Sequence, residues 1–396
     1  MRVQQRREAG RGEYGRLVPR HRGGRWMAVI AAGLSGFAPA ALAGPASARE
    51  SSAVPHWRVV VTAKSAFLSG LVGTSRHSIW ALGTGTVPSH PDRGFPVGLH
   101  WNGRSWSKVS FPQAISKTGI GCAAATSPRD VWAFAGTSSA GGSAAAAGAL
   151  RLVSGHWKLV KTFPPGIVTA CLVVDSTDVW VFGDAHVAPG TGTWHLHGHT
   201  WTHLTNLRFA LENGSVIGKN DIWGEGETPF GHPVVARWNG RSWVRNTKLA
   251  ASLPTPSQTV ELRNDGITAI SDKNVWLRVA VSRFSGNTRT DSLIVLHWTG
   301  SAWHRIGPSN PGYFLPGAVR GGDGTWWSHL PVDPFGSVPS GVRHRVNGHW
   351  VKVPVTIAGC LAQQPYLLAP AGTSATMLGL QFCARSTDVL ARGSIK

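Results

Sequence analysis

The sequence predicts an all-β chain folded as a seven-bladed β-propeller of four-stranded antiparallel blades, and three observations carry that prediction. First, an apolar residue followed by Trp recurs after a turn, at Ser78-Ile79-Trp80, Asp130-Val131-Trp132, Asp178-Val179-Trp180, Asp221-Ile222-Trp223, Asn274-Val275-Trp276 and Gly324-Thr325-Trp326, with a degenerate seventh at Ala375-Thr376-Met377. The intervals are 52, 48, 43, 53, 50 and 51 residues, and a period of about 50 marks propeller repeats. Second, a hairpin flanked by aromatics alternates with the first motif. It reads Trp101-Asn102-Gly103-Arg104-Ser105-Trp106 and returns at Trp238–Trp243 and Trp298–Trp303, with weaker copies ending at Trp157, Trp201 and Trp350. Third, 49 Gly, 25 Pro and 19 Trp in 396 residues, with 15% charged, suit short strands joined by tight turns. The same figures exclude a coiled coil or helical bundle.

Within each repeat, four strands a to d run outward from the axis. The turn before Asp-Val-Trp joins a to b, the Trp lies on b, and the Asn-Gly hairpin joins c to d. Asn-Gly is expected to turn tightly because both residues tolerate positive φ, and the flanking Trp pair across the ladder. A sheet with two apolar faces buries them only by stacking radially on its neighbours. The phase of the repeats puts an outer strand, His56–Val60 with Trp57, at the start of the mature chain, and inner strands at its end. The N-terminal strand is therefore expected to complete the last blade and close the ring.

Ahead of the repeats, residues 1–25 are Arg-rich, Trp26–Leu42 is apolar, and Ala41-Leu42-Ala43 precedes Gly44. A basic region, an apolar region and an A-x-A site predict a signal peptide over 1–43 and a propeller domain over 44–396. The protein is then expected to be secreted or held at the cell surface, with no membrane span after cleavage. The leader holds eight of the 39 basic residues and two of the 19 acidic ones, which leaves a net charge of +14 out of +20. That excess favours acidic partners, but beyond residue 50 it is scattered, and no nucleic-acid-binding module is recognisable.

The repeat resembles the kelch or galactose-oxidase type of propeller. More closely, it is similar to a secreted, Trp-rich actinobacterial repeat built on Asp-Val-Trp-Ala-x-Gly and His-Trp-Asn-Gly-x-x-Trp. The resemblance implies architecture over residues 54–396 and little about activity, since one fold hosts many functions. On the propeller layout, Cys122 and Cys171 fall on inner strands of neighbouring blades, and Cys360 and Cys383 flank a hairpin of the closing blade. Pairings 122–171 and 360–383 are expected.

The a–b and c–d turns share one face and are short. The b–c and d–a loops share the other, including Thr84–Val97, Glu225–His232, Ser282–Asp291 and Ser328–Gly341. Long, dissimilar loops on a rigid scaffold are where function concentrates, so a ligand site is expected there. Phe95, Phe230, Phe284 and Phe335, each among polar residues, with His186, His232 and His329, are the candidate binding residues. The Trp residues read as core by their periodicity, and the Asp of Asp-Val-Trp as a partner of its own turn.

Glu225, Glu227 and Asp333 form a candidate acid/base set, since paired carboxylates cleave glycosides. His195, His197 and His199 alternate as zinc or nickel ligands would on a strand, although His195 aligns with His100 and His297 and so reads as a repeat position. No cofactor is expected. A copper radical site of the galactose-oxidase kind needs two tyrosines and two histidines, and the mature chain has only Tyr313 and Tyr366. The function expected is non-catalytic binding or scaffolding by a monomer, toward a protein, a glycan or an anionic cell-wall polymer. A carbohydrate-active hydrolase or lyase is the alternative.

Overall fold

The computed structural model describes residues 56–64, 66–75, 77–87, 90–136, 147–183, 191–307, 314–315, 317–320, 324–330, 341–353, 367–370, 376–383 and 387–394. The expected leader lies outside them. The described strands form seven four-stranded antiparallel sheets. An N-terminal strand, β1 (His56–Lys64), is followed by six sheets in chain order. These are β2 (Ala66–Ser75), β3 (Ser78–Val87), β4 (His90–Trp101) and β5 (Trp106–Lys108); β6 (Ile120–Ser127), β7 (Asp130–Ala135), β8 (Ala147–Val153) and β9 (His156–Phe163); and β10 (Val168–Asp175), β11 (Asp178–Gly183), β12 (Trp194–His197) and β13 (Thr200–His203). Then come β14 (Ala210–Gly218), β15 (Asp221–Glu227), β16 (Pro233–Trp238) and β17 (Trp243–Arg245); β18 (Val260–Ser271), β19 (Asn274–Ser285), β20 (Thr288–Trp298) and β21 (Trp303–Ile306); and β22 (Val319–Arg320), β23 (Trp326–Leu330), β24 (Gly341–Val346) and β25 (His349–Val353). The last three strands, β26 (Leu367–Pro370), β27 (Thr376–Cys383) and β28 (Thr387–Ser394), form the seventh sheet with β1, in the order β1-β28-β27-β26. This arrangement is that of a β-propeller.

First strands of successive sheets touch one another: β2 with β6, β6 with β10, β10 with β14, β14 with β18, β22 with β26 and β26 with β2. Side-chain hydroxyls fasten these seams. Ser69 Oγ donates to Ile120 O, Ser215 Oγ accepts from Ala269 N at 2.9 Å, and Thr268 Oγ1 accepts from Gly317 N at 2.8 Å. The fit needs small residues: a Cβ on Gly70 would lie 2.8 Å from the Ala123 Cβ of the next sheet. In each of the first five sheets the first strand also carries a bulge, between Leu68/Gly70, Ile120/Cys122, Val168/Ala170, Leu211/Asn213 and Asn264/Ile267. A bulge bends the strand and steepens its twist.

The repeated Trp explains how the sheets stack. The Trp of each second strand is clamped within its own sheet by the residue opposite it on the third strand. A His stacks on the ring at Trp80–His100 (3.8 Å), Trp180–His195 (3.7 Å), Trp276–His297 (4.1 Å) and Trp327–His344 (4.4 Å). An Arg takes that place over Trp132 and Trp223. In four sheets the His or Arg then reaches the Asp or Asn two residues before the Trp. Arg151 pairs with Asp130 at 3.3 Å and His195 with Asp178 at 2.9 Å; Arg237 pairs with Asp221 at 2.7 Å and His297 with Asn274 at 3.0 Å. Trp132 and Trp276 Nε1 donate to the same acceptors, Asp130 and Asn274. The Asp was expected to serve its own turn. Thr126 does bond Asp130 there, at 2.6 Å, but the cross-strand pairing is the recurring contact.

Each clamped Trp then meets the outer-strand Trp of the next sheet, mostly edge-on. The pairs are Trp80–Trp157, Trp132–Trp201, Trp180–Trp243, Trp223–Trp303 and Trp327–Trp57, while Phe314 bridges Trp276 to Trp350. Trp57 is on β1, so the N-terminal strand fills the outer place of the seventh sheet. The sixth repeat needs a one-residue correction: Trp327, not Trp326, is fully buried, and its Nε1 donates to Thr325. Trp326 stands opposite Arg320.

Two turn expectations change as well. Asn102 and Asn239 do not adopt positive φ; only Gly103 (98°) and Gly240 (89°) do. These hairpins are four-residue loops, and the Asn side chain accepts two amides, from Arg104 and Ser105 or from Arg241 and Ser242. The two-residue turn with two positive φ values occurs instead at Ser154-Gly155 and Asn347-Gly348. Two expected loops are ladders: β3 pairs with β4 out to Val87/His90, and β19 with β20 out to Ser285/Thr288.

Cys122 and Cys171 form a disulfide between β6 and β10, with Cα atoms 6.0 Å apart, as expected. Cys383 lies on β27, and Cys360 lies outside the described residues.

Asp130→Ala removes the acceptor shared by Thr126, Trp132 and Arg151. It is expected to lower unfolding free energy by about 1–3 kcal/mol, read from the urea midpoint at constant slope.

Candidate functional site

The fourth repeat departs from the others after its Trp. β15 reads Asp221-Ile222-Trp223-Gly224-Glu225-Gly226-Glu227. Alternate residues of a strand share a face, and Trp223 packs into the core of the fifth sheet beside Val275, Leu277 and Trp303. Glu225 and Glu227 therefore point toward the same neighbour. Both lie within the strand, not in the loop after it, which corrects the sequence expectation.

Glu225 is buried at 4% exposure. Asn213, opposite it on β14, donates to Oε1 at 3.3 Å. From the next sheet, the β18 bulge at Asp265-Gly266 presses against it. Burial, reinforced by the negative charges of Asp265 and Glu212, pushes the Glu225 carboxyl up to about 8. Hydrogen bonds from the Gly266 amide and Asn213 pull the other way but do not win. The carboxyl is thus neutral at pH 7.

In this sheet the bulge also serves Arg278. Arg278 is 5% exposed, and its Nε reaches the Asp265 carboxylate at 2.8 Å and the Asp265 carbonyl at 2.9 Å. Asn264 fastens the two sheets by donating to Gly226 O and Val234 O, at 2.7 and 3.0 Å.

Above this buried layer β15 runs into a loop, Thr228 to His232, that is closed on itself. Thr228 N donates to His232 O and Gly231 N to Thr228 O, both at 2.9 Å. Thr228 Oγ1 accepts from Phe230 N and His232 N. The loop holds Phe230 outward at 86% exposure, the most exposed large apolar side chain among the described residues. His232 is exposed beside it.

The other candidates separate. Phe95, on β4, is 37% exposed. Phe284 is half-buried near the tip of the β19–β20 hairpin, with the Arg289 guanidinium 5.7 Å over its ring. Arg289 is itself held by Asp291 and Ser282. Phe284 is thus a partly covered hairpin residue, not a free aromatic. His186, Phe335 and Asp333 lie outside the described residues, and His329 lies on β23. Of the candidate acid/base set, the described residues hold Glu225, buried, and Glu227, half-buried, on one face of β15.

The histidine cluster resolves differently. His195 is not a free hairpin residue. It is stacked on Trp180 and bonded to Asp178, with 11% of its side chain exposed. His197 ends β12, and His199 sits in the following turn. The group that comes together is Asp178, His195 and His197, with ligand atoms all within 4.8 Å. His199 is not in it, and Asp178 is the member that sequence reasoning missed.

Along the outer edge, two clefts flank β17. The larger, about 580 Å³, lies between the fourth and fifth sheets and is lined by Arg237, Arg245 and Lys248 with Trp223 and Trp298. The smaller, about 390 Å³, opens toward the third sheet beside Arg208, Arg241 and Trp243. Both are basic, which no run of charge in the sequence announces. No helix among the described residues is long and apolar enough to cross a membrane.

No protein-family model and no curated protein matches the chain. Solved structures do. A structure of YCF48 bound to D1 peptide aligns over 86% of this chain and 97% of its own, at 11% identity and a TM-score of 0.52. A GH74 xyloglucanase from Xanthomonas campestris aligns over 83% of this chain at 13% identity, also at 0.52, and this chain spans about half of it, 52%. At such identities the likeness shows the β-propeller fold alone.

Because Glu225 stays protonated in the fold up to about 8 while an unfolded Glu ionises near 4.5, its burial carries no ionisation penalty at low pH. The penalty grows as pH rises through that window, reaching roughly 5 kcal/mol at the top. Glu225→Gln is expected to remove this slope. The variant should gain stability over the parent progressively from pH 5 to pH 8, read by urea unfolding across pH.

Proposed function

We propose that the protein is a secreted, non-catalytic binding or scaffolding module. In this reading the chain is a closed, seven-bladed propeller over residues 44–396, released from a signal peptide over 1–43. It belongs with the Trp-rich secreted repeats it resembles. Its partner is a protein, glycan or cell-wall polymer, met by the face that carries the b–c and d–a loops. The disulfide between Cys122 and Cys171 is compatible with such a location, since disulfides persist in oxidising compartments.

The observation that carries this reading is Phe230. A large aromatic held almost fully in water has no folding role, and the four hydrogen bonds around Thr228 fix its loop. A preorganised aromatic loses little entropy on docking and is the residue type that dominates binding hot spots. His232, exposed in the same loop, stands beside Phe230. The burial of Glu225 weighs against hydrolysis. The two aligned propellers, YCF48 bound to D1 peptide and a GH74 xyloglucanase, leave either kind of ligand open to a scaffold of this shape.

The test is co-sedimentation of the purified protein with cell-wall sacculi and with insoluble polysaccharides, at low and high salt. Retention that survives high salt and falls about tenfold in Phe230→Ala, with an unchanged melting temperature, is expected. Retention only at low salt would reduce the interaction to screened charge attraction. Full retention by Phe230→Ala would remove that loop from the site.

A further inference from the structure

We infer that the third sheet carries a transition-metal site formed by Asp178, His195 and His197, open to solvent on one side and suited to Zn²⁺. The inference starts from strand parity. Asp178 begins β11, and His197 stands directly opposite it on β12. His195 is two residues before His197 and so shares its face. Three donors of the imidazole and carboxylate type, which Zn²⁺ prefers, thus converge from two adjacent strands, with their ligand atoms within 4.8 Å.

Comparison among the repeats separates what is structural here from what is extra. The pairing of the third-strand residue with an Asp or Asn recurs in other sheets, as at His297 and Asn274, and belongs to the Trp clamp. The residue opposite that Asp or Asn is different. It is Asn239 opposite Asp221 and Thr299 opposite Asn274, one step beyond the ladder pairs Ile222/Trp238 and Val275/Trp298. In the second sheet the same step places Val153 opposite Asp130. Among the described residues, only the third sheet puts an imidazole there. The clamp does not need it, and His197 makes no contribution to burial, since it is exposed.

The geometry is also preset. Asp178 and His195 are 97% and 89% buried at their side chains and held 2.9 Å apart, near the ~3.3 Å edge of a tetrahedron with ~2.0 Å bonds. Trp180 fixes the His195 ring plane. Gly198 N donates to Thr177 O at 2.8 Å, tying the turn after His197 to the turn before Asp178. Only the His197 side chain has to rotate, and as an exposed residue it is free to. On binding, the neutral His195 ring takes the tautomer with its single proton on Nδ1, which leaves the Nε2 lone pair to the metal. With three protein ligands the fourth position is left to water or an outside donor.

The test is titration of tag-free protein with Zn²⁺ against a chromophoric chelator. One equivalent is expected to bind. His197→Ala and Asp178→Asn should each lower the affinity at least about tenfold, while His199→Ala should not. Asp178→Asn is the informative variant, because the fifth sheet already runs its clamp on Asn274. It should keep the parent melting temperature in chelator and lose only the rise in melting temperature that Zn²⁺ gives the parent. Absence of stoichiometric binding, or parent affinity in both His197→Ala and Asp178→Asn, would overturn the site.

Discussion

The contact on which the rest depends is the edge-to-face meeting of a clamped Trp in one sheet with an outer Trp in the next. Each such pair adds about 0.5–1.5 kcal/mol beyond the area it buries. The clamp matters because a Trp free to change rotamer would not present a fixed edge. A His or Arg over one face and an Asp, Asn or Thr before it leave the ring a single orientation. A sheet with two apolar faces is therefore given its angle to its neighbour by two aromatic planes, and the same angle is repeated along the chain. Trp57 matters for the same reason: it is the outer plane against which Trp327 packs.

A scaffold fixed in this way can carry buried groups that do nothing for stability. Glu225 occupies a position that apolar packing would fill better, and the β18 bulge that encloses it also brings Asp265 to Arg278. The layer is rigid on both sides, since Asn264 fastens it to two backbone carbonyls of the neighbouring sheet. The loop that follows inherits this rigidity, so Phe230 is presented by a fixed base and not by a flexible tip.

Much of this was legible in the sequence, for a local reason. A Trp pair separated by a short hairpin and repeated every fifty residues is a pattern within the chain, and so is the alignment of His195 with His100 and His297. The Cys122–Cys171 bridge followed from two cysteines at equivalent places in adjacent repeats. What could not be read is what depends on the neighbouring sheet or on strand parity. Trp326-Trp327 offers two candidates, and the one facing inward is decided by where β23 begins. Glu225 looks like a loop carboxylate until Asp265-Gly266, forty residues on, is seen to close over it. Asn-Gly suggested a two-residue turn, but Asn102 spends its side chain on the two following amides, which requires a longer loop. Asp178 was assigned to its turn because its partner is on another strand.

The pairing of β1 with β28 has a mechanical consequence. His56 stands opposite Ser394, and Lys64 opposite Thr387, so the outward ends of the two strands leave the sheet at the same end. A pull applied there would load the ladder one rung at a time, as a zipper is opened, and not all rungs together in shear. The seventh sheet would therefore part at low force. By contrast, a pull across the seam between β6 and β10 meets a covalent bond. Among the described strands, a weak edge and a strong one are thus set by strand direction and by two sulfur atoms.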